Sequence, residues 1–321
     1  MRAPMRVLVP LDGSHLAEGA IPIAARLAEV CGADVSLLHV LERDAPASVH
    51  GEPHLAEEPE AEAYLARLAQ ELAERGGTID YHVHEVPVGD VARSIAAHAD
   101  EQESDIVLVS THGGGDLRRG LFGSIAQRVL QICRRPVLLV RAERAPEVHP
   151  PFDPETIMVP LDATAAAEEA LPLASMLARF LEAQLRLVMV VPTLGTIGGA
   201  HRPQAALLPG TTRVLLDARE EQAAAYLEQL VDRLRASGVE SVGEVRRGAP
   251  VKELATDTAE HGDGLVVAAT HGRVGLQAVW TISVASRLLK RTSAPILLVP
   301  IVDPDSDPLA TQDSEGSSGS D

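Results

Sequence analysis

Aromatic residues and cysteines are both scarce in this chain. The first scarcity excludes a core built on aromatic side chains, and the second argues against disulfide and zinc sites. Phe, Trp and Tyr make up 2% of the 321 residues while 45% are hydrophobic, so a core must be built from Ala, Val, Leu and Ile. Such side chains suit the close packing of helices on a sheet. The two cysteines, Cys31 and Cys133, show no CxxC or metal-ligand spacing. Because both lie in apolar helical patterns, we interpret them as buried thiols and predict neither a disulfide nor a zinc site.

Basic residues and long apolar runs are also lacking. The chain has 28 Lys and Arg against 46 Asp and Glu, which gives a formal net charge of −18. This balance opposes general binding of nucleic acid, because phosphate backbones are neutralised by clustered Lys and Arg. No stretch reaches the roughly 18 apolar residues of a transmembrane helix, and the start shows no apolar targeting region. We therefore expect a cytoplasmic protein without nucleic-acid or membrane partners.

One central stretch combines a buried strand, a glycine-rich loop and a helix. Ile106–Val109 is an aliphatic run typical of a parallel sheet, and it leads into Ser110–Gly115, which ends in three glycines. Nine residues separate Gly113 from Gly123, which with Ser124 begins an apolar pattern at helical spacing. The unpaired N–H groups of a helix start attract anions. Such glycines also occur where a loop only needs a tight turn, but the combination favours phosphate binding.

Strand-like and helix-like runs alternate through the first half of the chain. The acidic, proline-containing segment 42–60 interrupts the alternation, and we interpret it as a mobile loop. The alternation predicts an α/β fold with a doubly wound parallel sheet. The predicted strands are 7–11, 35–40, 79–86, 106–109 and 137–140, and the predicted helices are 16–31, 61–75, 89–98 and one that starts at 124.

The second half of the chain repeats the first. Ile157–Thr164 matches Val7–Ser14, and Leu265–Gly272 matches Ile106–Gly113. A repeat of this length indicates a duplicated domain rather than a solenoid unit. We place the extra residues of the second half in the Gly- and Pro-containing segment 191–212. The predicted organisation is a first domain at 1–141, a proline-containing linker at 142–155, a second domain at 156–302 and a disordered acidic tail at 303–321.

The chain resembles the universal stress protein family, as a tandem two-domain member. The resemblance rests on VPLDGS at 9–14 and on THG, nine residues and GS at 111–124, with VPLDAT and ATHG as counterparts in the second half. It covers nearly all of residues 5–302. It implies two nucleotide-binding, Rossmann-like domains, each with a five-stranded parallel sheet of order 3-2-1-4-5. It also implies that the two last strands pair, so that the chain forms an intramolecular pseudo-dimer; a further homodimer is left open.

The resemblance also implies a nucleotide site in the first domain. ATP-binding members carry Gly-x2-Gly-x9-Gly-Ser/Thr, and here Ser110, a small residue, stands at the first glycine. Asp12 is expected to accept hydrogen bonds from the ribose or adenine. Pro10, Leu11 and Val40 are expected to line the base site. The other implied nucleotide-binding residues are Ser110, Thr111, His112, Gly113, Gly123, Ser124, Ile125 and Ala126. Mg²⁺ would be held mainly through the triphosphate, because one carboxylate is thin support for a metal site.

The matching loop of the second half departs further from the family pattern. Ala269 and Ile282 replace the first and last glycines, and Trp280 adds bulk. A β-branched side chain then stands where a phosphate needs bare backbone. We expect a degenerate second site, whose remaining counterparts are Asp162, His271, Gly272 and Ser283.

Some polar residues have two interpretations. His112 and His271 hold matching positions, which fits either a phosphate-binding histidine or one that bonds neighbouring backbone. Because His271 persists where the phosphate site is broken, we favour the second. The Arg118–Arg119 pair fits a terminal phosphate and a solvated face equally well. His82 and His84 share a strand face, but a metal site there lacks a third ligand.

Two classes of function fit these observations. One is an ATP-binding protein with a regulatory or stress-adaptation role, and the other is an ATP hydrolase or phosphotransferase. Efficient phosphoryl transfer needs a positioned nucleophile, metal ligands and charge neutralisation. The chain has no GxxxxGK[ST] sequence and no second carboxylate beside the glycine loop. We therefore predict binding without efficient catalysis, and keep a slow ATP hydrolase and a scaffold without nucleotide as alternatives.

Overall fold

A computed structural model describes most of the chain. It covers residues 4–42, 48–49, 52–53, 55, 57–87, 90–112, 123–142, 151–197, 207–262, 264–271 and 287–301, with the backbone alone at 48–49, 52–53, 112, 142 and 271. Several predictions fall outside this coverage. They concern the side chains of His112 and His271, and residues 113, 118–119, 272, 280, 282–283 and 303–321.

The first half folds into alternating strands and helices, as the sequence predicts. Its strands are β1 (Arg6–Pro10), β2 (Asp34–Glu42), β3 (Ser48–Val49), β4 (Glu52–Pro53), β5 (Ile79–Val86), β6 (Ile106–His112) and β7 (Val137–Ala142). Its α-helices are α1 (Ile21–Cys31), α2 (Glu58–Ala73), α3 (Val91–Glu101) and α4 (Ser124–Ile132), and a 3-10 turn at Ala17–Ala20 precedes α1.

Two boundaries differ from the prediction. β6 continues through Ser110 and Thr111 to His112, because these residues pair with the last residues of β7. Segment 42–60 is only partly a loop. β2 reaches Glu42 by pairing along β5, β3 and β4 form a small hairpin, and α2 already begins at Glu58. Acidic residues and a proline in the first turn favour a helix start there.

The second half repeats this order. Its strands are β8 (Thr156–Leu161), β9 (Gln184–Val191), β10 (Ser241–Arg247), β11 (Leu265–His271) and β12 (Ile296–Ile301). Its helices are α5 (Ala165–Glu168), α6 (Leu171–Phe180), α7 (Pro209–Ala236) and α8 (Pro250–His261). None of the helices in the described part of the chain is long and apolar enough to span a membrane.

Part of the extra length of the second half lies in helix α7. This helix has 28 residues, whereas its counterpart α2 has 16. The sequences align from Glu58 with Glu220, which brings Tyr64 onto Tyr226 and the buried Leu65 onto the buried Leu227. The first turns of α7 therefore have no counterpart in α2. Residues 213–219 of these turns lie beyond the segment 191–212, so the prediction that placed the extra residues around that segment accounts for only part of them.

The ten long strands form one continuous sheet, in the order β10-β9-β8-β11-β12-β7-β6-β1-β2-β5. Within each half the strands are parallel and follow the order 3-2-1-4-5. The halves meet where β12 pairs antiparallel with β7, with Leu297 opposite Leu138 and Leu298 opposite Val137. This arrangement confirms the predicted pseudo-dimer. The pairing also covers an edge that each half alone would expose.

Helices cover both faces of the sheet. Buried residues of α1, α2, α6 and α7 pack on one face, and buried residues of α3, α4 and α8 pack on the other. Strand residues alternate between these two cores, so Leu138 and Leu297 lie in the first and Leu139 and Leu298 in the second. The strand order reverses next to β1 in the first half and next to β8 in the second. In an open α/β sheet, ligands bind at the carboxyl ends of the strands at this point, so the topology predicts where each half would hold a site.

The described end of the predicted linker packs against both halves. Phe152 contacts the core that includes α1 and α2, and Asp153 forms an ion pair with Arg26 of α1 at 2.9 Å. Pro154 is buried so close to Gly264 that a Cβ there would lie 2.5 Å from the proline. Residues 151–155 thus pack against both halves and are more than a covalent link between them. At the other end of the predicted linker, Ala142 is the last residue of β7.

Candidate functional site

A cavity of about 330 Å³ opens at the carboxyl ends of β1, β2 and β6. This is the switch point at which an open α/β sheet binds its ligands, and the volume falls in the usual range of ligand pockets. Every predicted first-domain site residue whose side chain the structure describes lines the cavity. These residues are Pro10, Leu11, Asp12, Val40, Ser110, Thr111, Gly123, Ser124, Ile125 and Ala126.

The loop after β1 is held by its own aspartate. Asp12 Oδ1 accepts hydrogen bonds from the Ser14 backbone N–H at 3.0 Å and from the Ser14 hydroxyl at 2.5 Å. Ser14 Oγ in turn accepts from the Ala17 N–H at 3.2 Å, which starts the 3-10 turn. Gly13 has φ +85°, a conformation that side chains disfavour. One carboxylate oxygen thus fixes the loop, and Asp12 as a whole borders the cavity.

The two hydroxyls at the end of β6 have partners within the protein. Ser110 Oγ donates to the Ala17 carbonyl at 3.1 Å, and Thr111 Oγ1 donates to the Val140 carbonyl at 3.2 Å. Ser110 therefore ties β6 to the turn before α1. A glycine at this position would lack that bond, so the departure from the family pattern adds a contact.

The start of helix α4 borders the other side of the cavity. Gly123 is its N-cap, and no side chain caps it within the described residues. The first N–H groups of α4 are then available to an anion. Gly123 has φ −46° and ψ 145°, which other residues adopt readily. A glycine is therefore favoured there for the space it leaves and not for a positive φ.

Several cavity residues escaped the sequence interpretation. Glu42, at the end of β2, adds a second carboxylate to the lining, and Val91 and Ile95 of α3 add apolar surface. Glu42 ends the apolar run of β2 on the strand beside β1, so parallel-sheet geometry offered a signal for it. Val91 and Ile95 gave none, because they look like ordinary core positions of an amphipathic helix.

The second half repeats the aspartate turn but leaves it open. Asp162 Oδ1 accepts from the Thr164 N–H at 3.0 Å and from the Thr164 hydroxyl at 2.6 Å, as Asp12 does with Ser14. Ala163 holds the position of Gly13, at φ +63°. Residues 162–164 are all exposed, whereas Ser14 is only 2% exposed. The rest of the predicted degenerate site lies outside the described side chains.

A charged cluster occupies one face of the second half. Arg186 of β9, 5% exposed in its side chain, donates to both oxygens of the fully buried Asp257 at 3.0 and 3.1 Å, and to Glu244 at 3.0 Å. Burial alone would raise the pKa of Glu244, but the hydrogen bond and charge of Arg246 and the charge of Arg186 outweigh it and hold that pKa below its usual value. Glu244, Asp257 and His261 are close enough to hold a metal ion. The two arginines already neutralise the carboxylates, so the cluster fits an ion-pair network better.

The remaining candidate groups are the two cysteines and the two histidines of β5. Burial raises the pKa of the Cys133 thiol to about 11, as predicted for a core residue, while Cys31 is only half-buried. His82 is exposed and lies 3.7 Å from Asp80. His84 contacts His98 edge to face, with ring centroids 4.8 Å apart. Among the described residues, these histidines are not gathered with a third ligand of metal-binding geometry.

Comparison with known proteins agrees with this architecture. A universal stress protein of Mycolicibacterium smegmatis is 28% identical over 310 residues, covering 91% of this chain and 96% of the relative. One of Synechocystis is 31% identical over 134 residues, which is 42% of this chain and 83% of the relative. The crystal structure of a universal stress protein from Archaeoglobus fulgidus shares the fold, with a TM-score of 0.66 at 16% identity, and covers 93% of this chain and 97% of that one.

The family model matches the chain twice. The model described as the universal stress protein family matches residues 4–141 and again residues 154–300. The two matches contain the two parallel half-sheets and the two aspartate turns described above. On these matches and on the shared fold, the chain belongs to the universal stress protein family.

Proposed function

We propose that this protein binds one adenine nucleotide, ATP, in the cavity of its first half and acts through the bound state rather than through efficient catalysis. The observation that carries the proposal is the meeting of two features around one cavity. The Asp12 turn provides a hydrogen-bond acceptor, and the start of α4, which no described side chain caps, provides donors for an anion. A nucleoside phosphate carries both complementary groups.

Each part of the cavity suits one part of that ligand. Pro10, Leu11 and Val40 provide an apolar wall for a base, with the carboxylates of Asp12 and Glu42 nearby for amino or hydroxyl donors. Ser124, Ile125 and Ala126 form the first turn of α4 beside the cavity, where their backbone N–H groups suit a phosphate. The free nucleotide is preferred over nucleic acid because the chain carries a net charge of −18.

Efficient phosphoryl transfer does not fit the described lining. The cavity contains no lysine or arginine among the described residues, and charge neutralisation is a main component of such catalysis. Mg²⁺ would be held mainly by the triphosphate. Turnover with Mg-ATP is expected well below the ~1 per second of ordinary enzymes. A faster rate would favour the ATP hydrolase instead.

The site is proposed to be asymmetric between the halves. The sequence places Ile282 at the position that Gly123 occupies, and the Asp162 turn is exposed to solvent. Mass spectrometry of small molecules released from the denatured protein identifies a bound nucleotide. Calorimetric titration with ATP, AMP and cyclic AMP then gives the stoichiometry.

A matched pair of variants assigns the site. Asp12→Ala is expected to weaken binding about tenfold or more, because one half-buried acceptor of the cavity is lost, while Asp162→Ala leaves binding unchanged. Two equivalent sites, or equal effects of the two substitutions, would contradict the asymmetry. No heat and no thermal shift with any of the three nucleotides would favour the scaffold without nucleotide.

A further inference from the structure

Strand β2 ends in an acidic residue that faces the cavity. Successive side chains of a strand point to opposite faces of the sheet, so Leu38, Val40 and Glu42 share one face. Leu38 and Val40 are 0% and 7% exposed and belong to the core in which α3 packs on that face. Glu42 is half-buried and lines the cavity together with Ile95 of α3. One carboxylate therefore lies among the apolar residues that β2 and α3 contribute to the lining.

The two ends of the cavity suit different parts of a nucleotide. Strand β1 lies between β2 and β6, so β2 and β6 are two strand spacings apart, or about 10 Å. The start of α4, which is proposed to hold phosphate, borders the cavity, and α4 packs against β6. A nucleotide carries its base and its phosphates at opposite ends. A phosphate at α4 therefore leaves the base between β2 and α3.

The two carboxylates of the lining differ in position. Asp12 follows β1, the strand between β2 and β6, and its Oδ1 already accepts from the N–H and the hydroxyl of Ser14. That position is beside the sugar of a nucleotide placed in this way. Glu42 lies at the base end, on β2. An ionised carboxylate only accepts hydrogen bonds, so Glu42 suits the 6-amino group of adenine, which donates them.

The second half has no acid at this position. Strand register aligns β9 with β2, because Gln184 lies opposite Thr156 as Asp34 lies opposite Arg6. The position of Glu42 is then held by Pro192, which follows β9 and has no acceptor in its side chain. The acid at the base end is thus a feature of the first half, the half that is proposed to bind the nucleotide.

We propose that Glu42 is the specificity-determining residue of the first-half cavity and accepts a hydrogen bond from the 6-amino group of adenine. This inference rests on the proposed function and names the residue that selects the base. A site that places an acceptor opposite an amino group discriminates against a base without that group, because the acceptor then loses its partner. The ligand class that follows is a purine nucleotide with an amino group at position 6.

The first test compares the dissociation constants of ATP and purine riboside triphosphate, which carries hydrogen in place of the amino group and is otherwise identical. The wild-type protein is expected to prefer ATP about tenfold or more, because a hydrogen bond to a charged group is lost with the analogue. Glu42→Met has a side chain of similar length without a carboxylate, and should bring the ratio close to one. Titration calorimetry measures both ligands. A wild-type ratio near one, or an unchanged ratio in Glu42→Met, would overturn the inference.

Two further variants separate recognition of the base from the effect of charge. Removal of a negative charge strengthens the binding of any triphosphate, but this effect is common to both ligands and cancels in the ratio. Glu101→Met removes the same charge at the exposed end of α3 and should keep the wild-type ratio. Glu42→Gln retains an amide oxygen as acceptor and should keep part of the preference for ATP. A preference lost in Glu101→Met, or lost completely in Glu42→Gln, would contradict the hydrogen bond.

The outcomes for the wild-type protein distinguish this inference from the proposed function. A protein that binds neither ATP nor the analogue would refute the proposed function. A protein that binds both equally well, and that still loses affinity in Asp12→Ala, would refute the role of Glu42 alone.

Discussion

The two halves of this chain share a turn and differ in what surrounds it. Asp12 and Asp162 make the same hydrogen bonds to the backbone N–H and hydroxyl two residues later. Glu168 accepts a hydrogen bond from Tyr226 at 2.8 Å, in the place that Glu18 and Tyr64 hold in the first half. The turn is kept in both halves because one carboxylate oxygen accepts from a backbone N–H and from the hydroxyl of the same residue. The covering of the turn has no such local requirement and has diverged.

A second pair of matching positions differs in charge. Strand register places Ser36 of the first half where the second half has Arg186, and the ungapped alignment of α3 with α8, at the offset that pairs Ile106 with Leu265, places His98 where the second half has Asp257. His98 is half-buried, and its Nδ1 lies 3.0 Å from the Ser94 carbonyl oxygen one turn earlier. The same fold thus accommodates a serine and a histidine in one half and a buried ion pair in the other. A substitution in one half can therefore be compared with a control substitution in the other half.

The largest effect is expected at the strand pair that joins the halves. Leu139 and Leu298 are 0% and 3% exposed beside the antiparallel β7–β12 pairing. Replacing both with Lys buries two unpaired charges, at a cost of several kcal/mol each. We expect the halves to separate, which small-angle scattering measures as a larger radius of gyration. Val214→Lys, at a position 70% exposed, should leave the radius unchanged. A compact double variant would mean that the contact between the halves does not depend on this pairing.

The next largest effect is expected at Gly123, the glycine that starts α4, because the second half has Ile282 at the matching position. Gly123→Ile is expected to weaken ATP binding by several powers of ten, because two or three hydrogen bonds at ~1.5–3 kcal/mol each are lost. The fold should stay intact, since φ −46° suits isoleucine. Titration calorimetry and the melting temperature measure the two expectations. Gln131→Ile adds the same side chain at an exposed position of the same helix and should bind normally. Tight binding by Gly123→Ile would place the phosphate elsewhere.

The buried ion pair gives a smaller effect on stability. Asp257→Ala removes the partner that binds both arms of the buried Arg186 guanidinium, and we expect a loss of ~3 kcal/mol in the free energy of unfolding. As a control, Ser94→Ala removes a buried hydroxyl of α3 without a described partner and should change little. The double replacement Arg186→Met and Asp257→Leu should recover most of the loss. Denaturant titration measures all three, and equal losses in Asp257→Ala and Ser94→Ala would contradict a special contribution of the ion pair.

The smallest effect is a dependence of stability on pH. The pKa of Glu244 is lowered in the folded protein, mainly by the hydrogen bond from Arg246 against the opposing effect of burial. A lowered carboxyl pKa stabilises the fold above the unfolded value of ~4.3, and this contribution is lost as pH falls through the folded pKa. Glu244→Gln should therefore lower the melting temperature at neutral pH and flatten its fall in acid. Glu62→Gln, on an exposed helix surface, should keep the wild-type profile. A Glu244→Gln profile parallel to the wild type would contradict this assignment.

Sequence patterns predicted the parts of the fold that depend on local periodicity and on the repeat. Apolar runs such as Val137–Val140 predicted the strands themselves, whereas the strand order and the β7–β12 pairing were implied by the family resemblance. The boundaries of β6 were harder to predict, because Ser110 and Thr111 resemble loop residues and are held in the strand by pairing with β7. Long-range pairing of this kind leaves no local pattern.

The candidate site was predictable where a motif marks it and not elsewhere. Asp12 and Gly123 stand out by spacing and by turn chemistry. The hydrogen bond from His39 to the Leu11 carbonyl depends on the pairing of β2 with β1, and neither residue is unusual in the sequence. The contact between Leu55 and Gly13 likewise depends on the path of the chain between β2 and α2. Such contacts become visible only with three-dimensional coordinates.

The antiparallel pairing of β7 with β12 has a consequence for the order of events during synthesis. β7 leaves the ribosome long before its partner β12, with roughly 160 residues still to be translated between them, or roughly 10–30 s at ~5–20 residues per second. During that interval the apolar edge of β7 is open to other nascent chains. Because both halves lie on one polypeptide, the correct partner later arrives at a high effective concentration, which a dimer of separate chains would lack. Because the two halves are parts of one chain, the pairing of β7 with β12 does not depend on the cellular abundance of the protein.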